Sequence, residues 1–484
     1  MLDRSAASRL VLVLMFGFLP WAAHADSYNC GWSGALPSSK ELDGLVHTMV
    51  VYDDGSGPAL FVGGTFVHAG SLTVNRIAKW NGSSWSALGA ANPGITSGAA
   101  VFTLSVYDDG SGSALYVGGS FTQVGGFLTA NNVAKWKSGS WSTVGTGLHG
   151  SGSVAAYTSA VWDDPNVGDG PELYMGGSFT VAGSVINAYR IARWDGSDWS
   201  AVGSGMDDYV NALAVFDDDG DGPRASALYA GGGFIIAGVA ANRVARWDGT
   251  SWTALKDNVI QYGVNSTAND MFVYDDDGSG PHLARLYVCG HFTTAGSVNP
   301  ANRIASWGRD SVGSALYWAS LGTGLDLPAY SLTVFDPSGD GSAPALYVGG
   351  VFTQAGGSPA TSIAQWNGTN WFALDDGLES DVRALAVFDD DGAGSQPSAL
   401  FAAGDITSPV QDIGKWVCGS IFLQCDLDGD CDVDLTDLAQ LLGHYGMTGV
   451  SYTDGDVFPE GNGDGVVNLA DLGEMVGHYG DSCQ

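Results

Sequence analysis

Towards the end of the chain, Asp426, Asp428, Asp430, Asp434 and Asp437 stand at the first, third, fifth, ninth and twelfth places of one short stretch, with the carbonyl of Asp432 at the seventh. Oxygen donors at that spacing can wrap one hard cation in roughly six to eight ligands, the coordination that Ca2+ takes. The pattern returns in register as Glu460, Asn462, Asp464, the carbonyl of Val466, Asn468 and Asp471, with Gly465 at the sixth place, where such a loop turns sharply. A lone run of acids would read as a solvated turn, but two runs with the same donor order point to paired calcium loops. Catalytic chemistry has no such signature. His47, His68, His149, His282, His291, His444 and His478 show no metal-ligand spacing, and the rest of the chain offers no nucleophile motif, so no catalytic residue is assigned.

Each loop runs into a segment whose apolar residues fall at helical spacing, Leu438, Leu441, Leu442 and Tyr445 in the first and Leu472, Met475, Val476 and Tyr479 in the second. Both segments end in Gly-His-Tyr-Gly. This duplicated EF-hand-like loop-helix unit over residues 425–484, with Asp rather than Glu at the twelfth place, resembles a type I dockerin. The resemblance implies Ca2+ as cofactor, a cohesin-like protein as partner, and a place in a polysaccharide-degrading or cell-surface assembly. The chain departs from the pattern in three ways. Cys431 stands at the sixth place, where glycine tolerates positive φ at little cost. Glu460 lengthens the first ligand. Leu435-Thr436 and Leu469-Ala470 occupy the places where such modules present partner-contacting residues. With no partner, the same loops would staple a small C-terminal cap through calcium alone. Cys425 and Cys483 flank the module and are assigned as a pair tying its ends, one of the 15 connectivities that six cysteines allow.

The elements ahead of this tail are marked by tryptophan. Trp80, Trp136, Trp194, Trp247, Trp307, Trp366 and Trp416 close segments like Asn-Arg-Ile-Ala-Lys-Trp, and a second set, Trp85, Trp141, Trp199, Trp252, Trp318 and Trp371, follows in the same repeats. The member missing after Trp416 turns up near the other end of the chain as Trp32, in Trp-Ser-Gly-Ala-Leu. Each repeat reads as four antiparallel strands, for example Val210–Phe216, Ala227–Gly232, 242–247 and 252–255, separated by turns rich in Gly, Asn and Asp. The expected fold is all-β: a seven-bladed β-propeller over residues 26–418 whose N-terminal strand completes the last blade, followed by a 419–424 linker and the small α-helical module. A displaced strand separates a ring from an open stack, because only a ring must join its ends. Cys30 lies two residues before Trp32 and Cys418 two after Trp416, so closure would bring both to one hairpin end, and a disulfide is expected there. The architecture resembles bacterial secreted propellers with kelch-like or WD40-like closure, without the fingerprint of either, and carries no activity with it.

Residues 1–25 have the layout of a cleavable secretory signal, with Arg4 and Arg9, an apolar run over 10–18 and Ala23-His24-Ala25. The expectation is cleavage before Asp26 and secretion to the exterior or cell surface, with no later membrane span. With 18 basic and 52 acidic residues, a net charge of −34, the chain repels phosphate backbones, which argues against nucleic acid as a partner.

Within the repeats, the turn after the first strand is acidic throughout: Asp53-Asp54, Asp108-Asp109, Asp163-Asp164, Asp217 to Asp219 with Asp221, Asp275 to Asp277, Asp336 with Asp340, and Asp389 to Asp391. Integrin-type propellers hold calcium in similar loops, yet Asp and Gly are favoured in such turns on backbone grounds alone. The third-strand cations Lys79, Lys135, Arg193, Arg246 and Lys415 are expected to lie along the tryptophans and pair with acidic neighbours. Cys289, at a place held by Gly63, Gly118 and Gly176 elsewhere, is expected to be buried and unpaired. The sequence thus favours a non-catalytic binding or scaffolding propeller taking a glycan or protein ligand. Its specificity loops would be segments such as 89–100, 145–153 and 256–270, opposite the acidic turns. The alternative is a carbohydrate-active hydrolase or lyase recruited by its tail, although no two carboxylates stand out as a catalytic pair.

Overall fold

The computed structural model describes residues 30–34 and 42–418, apart from the short segments 90–91, 169, 221–224, 258–261, 277–282, 338–343, 391–397 and 409–411. Residues 1–25, 419–424 and 425–484, which the sequence suggests are a signal, a linker and a calcium-loop module, lie outside the described residues, with every proposed calcium donor and with Cys425, Cys431 and Cys483. The described chain is all-β, with no helix, and its strands form seven antiparallel sheets of four or five strands that make a seven-bladed propeller, with four two-stranded sheets beside them.

Blade 4 shows the plan: Val210–Phe216, Ala227–Gly232, Val244–Trp247 and Trp252–Ala254 pair in chain order, from the innermost strand outwards. Second strands such as Ala-Leu-Tyr-Val-Gly-Gly are buried along their length because neighbouring blades cover both faces, which is why they read as continuous apolar runs. The core lies between blades: Phe61 and Ile77 of blade 1 cluster with Val101, Leu115 and Val117 of blade 2. The third strand of blade 4 starts two residues later than the sequence suggests, because Asn242 and Arg243 take φ of 49° and 72° and break the extended backbone.

The two tryptophan sets meet. Trp80–Trp85, Trp136–Trp141, Trp194–Trp199, Trp247–Trp252, Trp307–Trp318 and Trp366–Trp371 pack as tilted rings with centroids 5.1–5.3 Å apart, a favoured aromatic geometry. The outer indole N–H then reaches back to the preceding blade: Trp141 to Leu88 O at 3.0 Å, Trp199 to Val144 O at 3.1 Å, Trp252 to Val202 O at 3.1 Å. Trp162 instead occupies the first-strand aromatic place held elsewhere by Tyr52, Tyr107 and Phe216, and packs on Tyr174.

Closure follows the same rules. Cys30–Gly34 pairs antiparallel with Ile413–Cys418, setting Trp32 against Trp416 at 5.1 Å and Cys30 opposite Cys418 in register. Trp32 donates to Leu374 O at 3.3 Å, the bond that Trp199 makes to Val144. Residues 30–34 therefore serve as the fourth strand of blade 7, and the innermost strands of successive blades touch all round the ring.

Candidate functional site

Every innermost strand carries a bulge near its start. Register skips one residue between Val46 and Thr48, Val101 and Thr103, Ala156 and Thr158, Val210 and Ala212, Ala268 and Asp270, Ala329 and Ser331, and Val382 and Ala384. The partner strand explains why. Its last glycine lies so close to the bulge that an added Cβ would stand 1.9 Å from Leu45 O at Gly64, 2.0 Å from Ala155 O at Gly177 and 2.1 Å from Tyr209 O at Gly232. Only glycine admits that carbonyl. A bulge re-aims one side chain, and here seven are re-aimed at one end of the channel: His47, Phe102, Tyr157, Asn211, Asn269, Tyr330 and Arg383, each partly exposed. The scaffold repeats while the side chains do not, as in a recognition surface built on a rigid frame.

These residues form an arc with defined chemistry. The His47 and Phe102 rings lie 5.0 Å apart, Phe102 and Tyr157 5.4 Å apart, and the Arg383 guanidinium sits 5.3 Å from the Tyr330 ring. Arg383 also pairs with Asp381 at 2.5 Å. Burial, and then the charge of Arg383, hold the His47 imidazole down at about 4, so it is neutral at physiological pH. On the far side Asn211 and Asn269 offer amides, and Asn269 Nδ2 donates to Ala329 O at 2.8 Å. The mouth thus combines aromatic faces with amide donors and acceptors.

Directly after the blade 5 bulge, Asp270 stands where blades 1 to 3 have Thr48, Thr103 and Thr158. The residue as a whole is partly exposed, yet protein surrounds the carboxyl, and burial pushes it up to about 7 against N–H bonds from Leu332 and Met271, both 2.8 Å. Its register partner is Cys289, fully buried and without a disulfide partner. An acid whose folded pKa lies above its unfolded value of about 3.9 contributes stability that is full below pH ~4 and is lost as pH rises through about 7. Asp270→Thr should therefore flatten the fall in melting temperature between pH 4 and 8 and remove a penalty of ~2 kcal/mol at pH 8, discounted for water in the channel. Thermal melts across that range check this; parallel curves for the two proteins would refute it.

The acidic turns lie at the opposite end of the blades. Asp53 Oδ1 accepts from the N–H of Gly55 and Gly57, and Asp108 Oδ1 from those of Gly110 and Gly112. The second acid meets the third-strand cation: Lys79–Asp54 and Lys415–Asp390 at 2.6 Å, Lys135–Asp109, and Arg246–Asp218 at 3.4 Å, while Arg193 pairs with Glu172 at 2.8 Å. The neighbouring aromatics are Phe61 under Lys79 and Tyr116 under Lys135, second-strand rings rather than the expected tryptophans. Among the described residues no three His, Cys, Asp or Glu side chains converge on a metal-sized site. Asp221, Asp277, Asp340 and Asp391 lie outside the described residues.

Of the expected specificity loops, 89–100 gives up its second half to a strand. Ile95–Tyr107 pairs with Ala114–Val124 through repeated register shifts, helped by Gly98 at φ 142°. Segment 256–270 likewise gives up 268–270 to the innermost strand. The bulge ring itself went unread, because its seven residues share no type.

No family model matches the chain, and no curated protein matches it. Among solved structures it is similar to Sqt1 from Saccharomyces cerevisiae, at 9% identity and a TM-score of 0.41, over 78% of this chain and 97% of that one. It is also similar to YCF48 from Cyanidioschyzon merolae, at 14% identity and a TM-score of 0.41, over 80% of this chain and 98% of that one.

Proposed function

We propose that the chain is a secreted, non-catalytic binding propeller that takes its ligand at the bulge ring and is tethered through a calcium-folded, dockerin-like tail to a cohesin-like partner. The observation that carries the binding half is the ring itself. One backbone device recurs in every blade, yet it presents imidazole, phenyl, phenol, amide and guanidinium in turn. A merely structural repeat has no need of that variety.

The tail rests on donor order in the sequence, and secretion on the signal-like segment 1–25. Secretion also permits the proposed Cys30–Cys418 disulfide, and the strand register supports it, since Cys30 stands opposite Cys418 two residues along from the Trp32–Trp416 pair. Calorimetric titration of the full secreted chain with Ca2+ tests the tail. Asp437→Ala combined with Asp471→Ala should weaken binding at least ~100-fold, since both twelfth-place ligands are lost. Heat that survives both substitutions would contradict the assignment.

Asp270 favours a second reading, a carbohydrate-active enzyme, because a carboxyl raised to about 7 near a ligand site can exchange protons at neutral pH. Reducing-sugar release by the wild type that vanishes in Asp270→Asn would replace the binding role with catalysis.

A further inference from the structure

The third strands begin with a second repeated device on the mouth side. Arg76, Asn132, Arg190, Arg243, Arg303, Ser362 and Asp412 take φ of 70°, 64°, 68°, 72°, 67°, 59° and 59°. Left-handed backbone suits Gly or Asn and costs a long side chain about 1 kcal/mol, yet four of the seven are arginine. Among the described residues their guanidiniums meet only backbone carbonyls: Arg76 reaches Ala99 O at 3.2 Å and Ile95 O at 3.1 Å, Arg243 reaches Val264 O at 3.4 Å, Arg190 bonds Ser178 O and Arg303 bonds His291 O. Ser178 and His291 directly follow the glycines beneath the bulges, and His291 lies 6.1 Å from Tyr330 of the ring.

Charge is distributed unequally between the two faces. Beside the acidic turns Lys79, Lys135, Arg193, Arg246 and Lys415 are ion-paired and Lys137 meets only Ser111 and Gly112, whereas on the mouth side none of these four arginines pairs with a carboxylate among the described residues, in a chain with 52 acids and 18 bases. Nor does the fold require the charge. In blade 2, Asn132 does the stitching alone, donating to Leu148 O at 2.8 Å and accepting from Phe121 N at 3.2 Å.

We infer that the four guanidiniums serve an anionic ligand, and that the ligand is a carboxylate-bearing (uronic-acid) oligosaccharide whose sugar rings lie on the aromatic arc. This rests on reading the channel mouth as the binding surface. Planar carboxylates suit the guanidinium fork, and pyranose faces suit aromatic rings. Arg383 is neutralised by Asp381 and His47 is uncharged, so the four arginines, with exposed Lys256, supply the positive charge on this face. Exposed Asp43, Asp207 and Asp326, which hold the hairpins of the same face, would repel a long polyanion laid flat across it. A compact charged end entering the mouth avoids them.

The test is titration of the full chain with a short oligogalacturonate, its carboxyl-reduced counterpart, single-stranded DNA and polyglutamate. The oligogalacturonate should bind, and more weakly as salt rises. The combined Arg190→Asn, Arg243→Asn and Arg303→Asn variant should keep its melting temperature and lose at least about tenfold in affinity. Lys137→Gln, on the opposite face, should lose nothing. Equal binding of the carboxyl-reduced sugar, an unaffected triple variant, preference for DNA or polyglutamate, or no binding by any probe would each overturn the inference. Phe102→Ala with Tyr157→Ala separates the two levels. Loss of both sugars in that variant beside an inert arginine triple leaves the mouth standing and removes only the anionic class. Retention of both sugars removes the mouth itself.

Discussion

Gly177→Ala is expected to destabilise the propeller by ~3–5 kcal/mol, whereas Gly176→Ala, one residue earlier, should cost less, ~1–2 kcal/mol. A Cβ on Gly177 would stand 2.0 Å from Ala155 O, a backbone atom fixed by the bulge that follows it, and nothing can give way without parting the two innermost strands. A Cβ on Gly176 would meet Val210 Cγ1 at 2.6 Å, Thr158 Cγ2 at 2.8 Å and Val210 Cβ at 3.1 Å, side-chain atoms that give way at smaller cost than a backbone carbonyl. The chain contains its own control: the first place of the pair is Cys289 in blade 5 and Ala403 in blade 7, while the second is glycine in all seven blades, Gly64, Gly119, Gly177, Gly232, Gly290, Gly350 and Gly404. Denaturant unfolding of the two variants checks the contrast. Gly177→Ala should also disturb ligand binding beyond its effect on stability, because the bulge it disrupts aims Tyr157. Equal losses in the two variants would sever the link between glycine and bulge.

That pair of glycines shows where sequence reading succeeds and where it stops. Large aromatics at fixed separation announce themselves, so the hairpins holding Trp80–Trp85 and the stray strand around Trp32 could be placed from residue type alone. Gly-Gly at the end of Ala-Leu-Tyr-Val-Gly-Gly is equally visible, but its cause lies in a partner strand some twenty residues away, where one extra residue interrupts the alternation. The ring was harder still. His47, Phe102, Asn211 and Arg383 share a backbone position and no chemistry, so a search for recurring residue types passes over the positions that differ because each does a separate task. The positive-φ arginines hid for a related reason: Asn-Arg reads as part of a strand, and only the dihedral angles reveal that Arg243 adopts a conformation better suited to asparagine. The acidic turns, by contrast, drew attention through composition while their carboxylates are taken up by turn N–H groups and paired cations.

Ring closure gives the second large effect, because it can be tested by comparing two tryptophans with the same local contacts. Trp199 packs on Trp194 at 5.3 Å and donates to Val144 O at 3.1 Å; Trp32 packs on Trp416 at 5.1 Å and donates to Leu374 O at 3.3 Å. Truncating either to alanine removes one ring pair and one indole hydrogen bond, ~3 kcal/mol for buried Trp199 and less for partly exposed Trp32. Trp199, however, sits in a hairpin joined to its partner strand by a short turn, whereas residues 30–34 reach theirs from the far end of the chain. Under reducing conditions Trp32→Ala should therefore release the whole strand and bare the edge of Ile413–Cys418, a template for association with other chains. The expected outcome is a protein that aggregates where Trp199→Ala merely melts earlier. With the proposed Cys30–Cys418 bond intact, the strand stays tethered, the loop-closure contribution of ~2–5 kcal/mol is kept, and the two variants should behave alike. Non-reducing peptide mapping must then find residues 30 and 418 in one cross-linked fragment. Divergence of the variants that ignores reductant would remove the disulfide, and identical behaviour under reductant would show that strand 30–34 contributes little to closing the ring.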